Sequence, residues 1–101
     1  MGLEHEGSVV SKERQKNEEP PMYKVLLHND DYTTMEFVVM ILQSVFNKNA
    51  VQATEIMLNV HKKGIGVAGI YTREIAETKL ARVNDLAREN EHPLRCSMEK
   101  V

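Results

Sequence analysis

The chain has one cysteine, no long apolar run and no excess of basic residues. With Cys96 alone an internal disulfide cannot form, and such sparing use of cysteine is typical of a reducing cytoplasm. No stretch approaches the roughly 18–20 apolar residues of a membrane span, and we expect no signal peptide because the N-terminal segment lacks an apolar core. The net charge of −2 argues against a phosphate-binding surface. We therefore expect a cytoplasmic protein without membrane or nucleic-acid partners.

The composition is that of a single globular domain preceded by a polar tail. Of the 101 residues, 42% are hydrophobic and 28% are charged, which are ordinary values for a folded domain. The segment Glu4–Glu19 is rich in Glu, Lys, Ser and Gln, and it has too few apolar residues to offset the entropy of ordering. We expect a flexible N-terminal extension over residues 1–21 and a folded domain over residues 22–101.

Hydrophobic periodicity predicts three strands and three helices in the order β-α-α-β-α-β. The predicted elements are strand Tyr23–His28, helix Thr34–Phe46, helix Ala50–Lys62, strand Gly66–Tyr71, a helix that follows Thr72 and ends at Glu89, and strand Leu94–Glu99. The single helix between the last two strands makes them run in the same direction, whereas the helix pair lets the first strand run opposite to both. The simplest fold is an α+β domain with a three-stranded antiparallel sheet, the first strand in its middle and the helices packed on one face.

The first helix has a well-defined predicted start. Thr33 and Glu36 have the spacing of a capping box, in which two side chains satisfy the free amides of the first turn. The three polar residues just before it, Asn29, Asp30 and Asp31, are then not needed for capping. Acceptors at this strand-to-helix corner are therefore available for an ammonium group or a metal ion.

The second helix is expected to bring a fourth polar group to the same corner. It begins at a second capping box, Asn49 with Gln52, and Gly64 is its expected left-handed stop. Because this helix returns beside the first one, its C-terminal end comes back toward the corner, and His61 lies there. The expected apolar wall of this volume consists of Met35, Val38, Met57 and Val60.

Such a combination suits a primary ammonium group next to a bulky apolar side chain. An α-amino group is mostly cationic at neutral pH and presents three N–H donors. An amide carbonyl, a carboxylate and a neutral imidazole offer three acceptors, and charge-assisted hydrogen bonds are about twice as strong as neutral ones. The residues therefore suggest a receptor for the N-terminal residue of another chain.

Other interpretations of the same residues remain open. Asn29–Asp31 is also common turn chemistry, and a histidine near a helix C-terminus is often only a partner of the helix dipole. An enzyme could use Asp30, Asp31 and His61 as metal ligands for hydrolysis, although the other histidines lie at unsuitable spacings.

Two further alternatives involve other parts of the chain. A Cys96–His92 nucleophile pair is disfavoured because Cys96 falls on the inward side of the last strand, where a thiol is inert. A scaffold or ribosome-associated domain of the same element order would use the apolar outside of the first helix as its interface and would ignore peptide N-termini.

Several separate motifs together resemble the ClpS family, the bacterial adaptors that deliver N-degron substrates to the ClpAP protease. The resemblance covers about Pro21 to Val101. The matching segments are Met22–Val25, Asn29–Thr33, Met35–Val38, Met57–Leu58, Val60–His61, Ala76–Lys79, Ala87–Asn90 and His92–Leu94. It implies an adaptor with no catalytic residues, no metal and no other cofactor, and nothing in the chain demands more than a monomer.

The resemblance also implies specific roles for the site residues. Asn29, Asp31 and His61 would hold the α-amino group of an N-terminal Leu, Phe, Tyr or Trp, with Asp30 supporting them. Met35 would act as a gatekeeper that excludes the β-branched residues Ile and Val. The implied hollow for the side chain consists of Leu27, Thr33, Met35, Val38, Met57, Val60 and Leu94.

The resemblance further implies where the protease docks. Glu74 and Lys79, expected to be exposed on the third helix, match positions that bind the N-terminal domain of the ClpA unfoldase, and the tail would engage ClpA during hand-over. Two residues depart from the family pattern: Thr34 stands where proline is common, and His28 stands where an apolar residue is usual. A second, narrower-specificity adaptor of the same family is a further alternative.

Overall fold

The protein, described as a computed structural model over residues 19–101, is built from three strands and three helices. They are β1 (Met22–His28), α1 (Met35–Ser44), α2 (Ala50–Lys63), β2 (Ile65–Thr72), α3 (Arg73–Glu89) and β3 (Arg95–Lys100). The predicted order β-α-α-β-α-β is thereby confirmed. The predicted flexible extension, residues 1–21, lies outside the described residues apart from its last three. Within residues 19–101, no helix has the length and apolarity to cross a membrane.

The sheet has the order β2-β1-β3, and β1 is antiparallel to both neighbours, as the sequence predicts. Val25 and Leu27 of β1 are fully buried, because alternate residues of a strand point to the same face. They join one apolar core with residues of all three helices, among them Ile41, Ala53 and Val83. The helices therefore cover one face of the sheet, and this packing positions the two helix ends discussed below.

The start of α1 differs from the prediction by one residue. Thr34 is the N-cap, and its hydroxyl accepts a hydrogen bond from the amide of Phe37 at 3.1 Å. The predicted capping by Thr33 is wrong, because the Thr33 amide and hydroxyl both donate to the carboxylate of Asp30. The helix also ends at Ser44, two residues before the predicted end.

The caps of α2 agree with the sequence, and the helix ends at Lys63, one residue after the predicted end. The Asn49–Gln52 capping box is present, with reciprocal hydrogen bonds of 2.8 and 3.1 Å. Gly64 ends the helix with a φ of 88°, in the left-handed region that glycine adopts without strain, and its amide donates to the carbonyl of Val60. This sharp stop lets the chain turn directly into β2.

Helix α3 buries one narrow stripe of apolar side chains. Ala76, Val83 and Ala87 are buried, and their spacing places them on one face of the helix. Ile75 is 49% exposed, because it lies one residue, about 100° of helical rotation, from Ala76. Thr72 is the N-cap, although its side chain makes no capping hydrogen bond.

Candidate functional site

A cavity of about 240 Å³ lies between the corner that joins β1 to α1 and the C-terminal part of α2. It has a polar end and an apolar wall. Its lining consists of Asn29, Asp30, Asp31, Thr33, Met35, Val38, Met57, Val60 and His61. Every lining residue is among those predicted from the sequence, so the predicted convergence of the corner with His61 is present in the fold. The role of these residues in binding a ligand stays a prediction.

One backbone contact explains why the two ends meet. The amide of Asn29 donates to the carbonyl of Gly64 at 2.9 Å, which ties the end of β1 to the end of α2. Just before it, His28 pairs with Ile65 as the last pair of the β1–β2 ladder. Since His61 lies one turn before Gly64, sheet pairing itself carries the imidazole to the Asn29 corner.

Asp30 is used by the local backbone. One carboxylate oxygen, Oδ1, accepts hydrogen bonds from the amides of Tyr32 and Thr33 at 2.8 and 2.7 Å. The other oxygen accepts a hydrogen bond from the Thr33 hydroxyl at 2.7 Å. Burial by itself would raise the pKa of Asp30, but these hydrogen bonds and the nearby His92 outweigh it and hold that pKa below its ordinary value. The expectation that all three polar residues stay free is therefore wrong for Asp30, whose part here is to shape the turn.

Unlike that of Asp30, the other three side chains at the polar end of the cavity are not bonded to the backbone of the described residues. Asn29, Asp31 and His61 are exposed, and their side chains make no hydrogen bond within residues 19–101. Their acceptor atoms therefore remain available at the cavity. The polar end consists of one carboxylate already used by the turn and three groups that can accept a donor from a ligand.

The apolar wall is mostly buried and is therefore preformed. Val38, Met57 and Val60 are 7%, 9% and 3% exposed, whereas Met35 at the mouth is 44% exposed. Leu27 and Leu94, two residues of the predicted hollow, do not line the cavity. Their side chains point into the core instead, where they are 0% and 6% exposed and belong to the same buried cluster as the wall residues.

The two residues assigned to partner docking differ in their surroundings. Glu74 is exposed in the first turn of α3. Lys79 was expected to be exposed but is half-buried, because its ammonium donates to the Val45 carbonyl at 2.7 Å and lies 5.6 Å from the centroid of the Tyr71 ring. Since Val45 is the C-cap of α1, this cation stabilises the negative end of that helix dipole.

The two departures from the family pattern also have local partners. His28 Nε2 lies 2.7 Å from the Ser97 hydroxyl, and burial, followed by the charge of Arg95, lowers the pKa of His28. The imidazole of His28 is therefore biased toward its neutral form. Thr34 supplies the α1 cap, so a side-chain hydrogen bond defines the corner where the family pattern has proline.

The features needed by the enzyme alternatives are not found in the described part of the chain. Within residues 19–101, no group of three or more His, Cys, Asp or Glu side chains is arranged to hold a metal ion. Burial raises the pKa of Cys96 to about 12, so this thiol is neutral near pH 7 and is a poor nucleophile. The ring of His92 instead packs against Phe37, with 4.3 Å between the ring centroids.

Comparison with known proteins places these features in a family. A family model described as ATP-dependent Clp protease adaptor protein ClpS matches residues 18–97. The ATP-dependent Clp protease adapter protein ClpS of Desulfatibacillum aliphaticivorans is 61% identical over 93 residues, which are 92% of this chain and 89% of the relative. The protein of the same name from Syntrophus aciditrophicus is 64% identical over 83 residues, or 82% of this chain and 78% of that one.

A solved structure shows the same fold. Agrobacterium tumefaciens ClpS2, bound to L-phenylalaninamide, matches with a TM-score of 0.78 and 39% sequence identity. The match covers 81% of this chain and 99% of that one. L-Phenylalaninamide carries a free α-amino group and a benzyl side chain.

Proposed function

The chain belongs to the ClpS family of adaptors of the ATP-dependent Clp protease, and on this premise we propose that it selects substrates by their first residue. In this proposal it binds N-degron proteins and peptides that begin with Leu, Phe, Tyr or Trp and delivers them to ClpA for degradation by ClpAP. The observation that carries the proposal is the cavity that joins free acceptors to a preformed apolar wall.

The polar end would bind the substrate's α-amino group. Asn29, Asp31 and His61 would each accept one of its three N–H donors, through an amide carbonyl, a carboxylate and a neutral imidazole nitrogen. Asp30 would support them indirectly, since its hydrogen bonds to Tyr32 and Thr33 define the turn on which Asp31 lies. The charge of Asp31 complements that of the ammonium group.

The apolar wall would bind the first side chain. An aromatic side chain buries about 150–250 Å², worth about 4–6 kcal/mol before the costs of association. This term is large enough to select bulky apolar residues over glycine or alanine. Val38, Met57 and Val60 supply a buried floor, and Leu27 and Leu94 belong to the same core cluster.

The proposal includes docking to the N-terminal domain of ClpA through α3. Exposed Glu74 is suited to direct contact, whereas the Val45 carbonyl already holds the Lys79 ammonium, so Lys79 would present its charge from a fixed position. The proposed engagement of ClpA by the N-terminal tail involves residues outside the described part of the chain.

The proposed state is a cytoplasmic monomer without metal or cofactor, and the single free thiol suits a reducing compartment. The relatives are named as adaptors, which supports a non-catalytic role.

The direct test combines binding with delivery. In fluorescence anisotropy, a labelled peptide that begins with Phe should bind, and the same peptide beginning with Gly should bind at least about 100-fold more weakly because it fills none of the apolar wall. Purified ClpAP should degrade a Phe-initiated reporter faster when the chain is added. Equal binding of the two peptides, or no change in degradation, would contradict the proposed function.

Met35→Ala is expected to relax selection against β-branched first residues. Met35 lies at the mouth of the cavity, where a second carbon on the substrate's Cβ would meet it. Removing it should improve the affinity for a Val- or Ile-initiated peptide by roughly tenfold, with a smaller change for Phe. Met22→Ala, at a methionine of β1 that is 38% exposed and lines no part of the cavity, is the matched control. An unchanged affinity ratio in Met35→Ala would remove the gatekeeper role.

A further inference from the structure

A second depression lies beside the ligand cavity on the outside of α1. It has a volume of about 360 Å³ and is lined by Met35, Glu36, Val39, Met40, Gln43 and Met57; we call it the outer groove. It is more apolar than the first cavity, and its only charged lining residue is Glu36. Met35 and Met57 line both depressions, so the outer groove adjoins the proposed ligand site.

Core packing does not require all of the apolar side chains that line the outer groove. Met35 and Met40 are 44% and 37% exposed. The buried face of the same helix is formed by other residues, among them Phe37, Ile41 and Leu42, so the two methionines are not part of the core. Exposed apolar groups that adjoin each other on a small domain commonly mark a binding surface. Methionine side chains are flexible and polarizable, and they adapt to partners of varied shape.

The position of the outer groove relative to the cavity indicates its occupant. In the proposed complex, the α-amino group lies at Asn29, Asp31 and His61 and the first side chain lies against the apolar wall. The Cα atom of the second residue is then only about 3.8 Å from the Cα atom of the first. Successive side chains of an extended peptide point to opposite sides. The second side chain is therefore not directed into the first cavity, and the outer groove is the apolar depression that adjoins that cavity, at Met35 and Met57.

We propose that the outer groove binds the side chain of the substrate's second residue and favours a large apolar one there. This inference rests on the proposed function and extends the selection from one residue to two. A folded partner is a poorer fit, because the groove has six lining residues whereas stable protein interfaces use about 20–30 residues a side. An acidic second residue is also a poorer fit, since its carboxylate would approach Glu36 without a cation in the lining.

The test compares two peptides that differ only at the second position, Phe-Leu and Phe-Ala, by fluorescence anisotropy. The wild-type chain should bind the Phe-Leu peptide about five- to tenfold more tightly, because leucine adds three carbons that an open groove buries by about half. Met40→Gln should reduce this preference to less than about twofold and leave the affinity for Phe-Ala unchanged, since Met40 does not line the first cavity. Glutamine and methionine have similar helix propensities, so α1 should be preserved.

Leu58→Gln is the matched control. Leu58 of α2 has the same exposed fraction as Met40, 37%, and it lines neither depression. This variant should keep the full preference for Phe-Leu. If it loses the preference as Met40→Gln does, then replacing any exposed apolar side chain by glutamine has the same effect, and the inference is overturned.

The remaining outcomes separate this inference from the proposed function. Equal affinities for Phe-Leu and Phe-Ala, both tight and both abolished by N-acetylation, would overturn the inference and leave the proposed function intact. Failure of both peptides to bind would overturn both. Sedimentation that shows a dimer of the wild-type chain, lost in Met40→Gln, together with equal peptide affinities, would assign the groove to a second copy and overturn the inference.

Discussion

Acetylating the α-amino group of a Phe-initiated peptide is expected to weaken its binding at least about 100-fold. Acetylation removes the positive charge and leaves one N–H where there were three, so two of the three acceptors at Asn29, Asp31 and His61 lose their donors. An acceptor that the ligand covers but does not hydrogen-bond makes the free energy of binding less favourable by about 1–3 kcal/mol, and by more when the acceptor is charged. The acetyl group also needs space at the polar end of the cavity. Fluorescence anisotropy with the two peptides measures the difference.

The control for this experiment is acetylation at a different amine of the same peptide. A lysine placed near the labelled end carries an ammonium group that should lie outside the cavity, and acetylating it should change the affinity by less than about twofold. If α-amino acetylation proves equally harmless, then the polar end does not recognise the chain terminus. The receptor hypothesis would then be wrong even if an apolar peptide still binds.

Asp31→Asn is expected to weaken binding of a Phe-initiated peptide by roughly 30-fold. The substitution keeps the size of the side chain and one carbonyl acceptor, but it removes the negative charge that pairs with the ammonium group. It also brings an NH₂ group that faces the ligand's own donors if the amide is turned. Because Asp31 makes no hydrogen bond within residues 19–101, the fold should be unaffected. Calorimetry or anisotropy measures affinity, and thermal unfolding checks the fold.

The same substitution at Asp85 is the matched control. Asp85 is an exposed carboxylate of α3, paired with Arg88 at 2.6 Å and not part of the cavity. Asp85→Asn removes the same charge from the chain and should leave the peptide affinity within about twofold. If both variants lose affinity equally, the effect is a long-range one of net charge. If neither does, Asp31 is not a ligand of the α-amino group.

Local signals were sufficient where a residue's conformation depends on its immediate neighbours. Asn49 with Gln52 and the left-handed Gly64 are decided by nearby backbone amides and carbonyls, so the sequence predicts both ends of α2. Local signals failed where two neighbouring residues compete for one role. Thr33 and Thr34 could each cap α1, and the choice depends on Asp30 binding the amide and hydroxyl of Thr33.

Contacts between distant segments explain the other differences between the sequence-based expectations and the structure. Lys79 was expected to be exposed, but the Val45 carbonyl that holds its ammonium is 34 positions away in the sequence. Leu27 and Leu94, which the family resemblance assigns to the hollow, lie in the core cluster that contains the cavity wall, and their contribution to the hollow stays a prediction. Sequence periodicity identifies an apolar position, and it does not distinguish a cavity wall from the layer beneath it.

The sequence by itself determined the element order, the central position of β1 and the meeting of the Asn29–Asp31 corner with His61, while Thr33 was assigned to the cavity only through the family resemblance. It did so because periodicity, caps and the short connections between elements leave few possible topologies. Only the tertiary structure decided that Asp30 shapes the turn while Asn29, Asp31 and His61 keep free acceptors, and that Met35 and Met57 separate two adjoining depressions. Those outcomes depend on distances between segments that are far apart in the chain, such as the Asn29–Gly64 hydrogen bond.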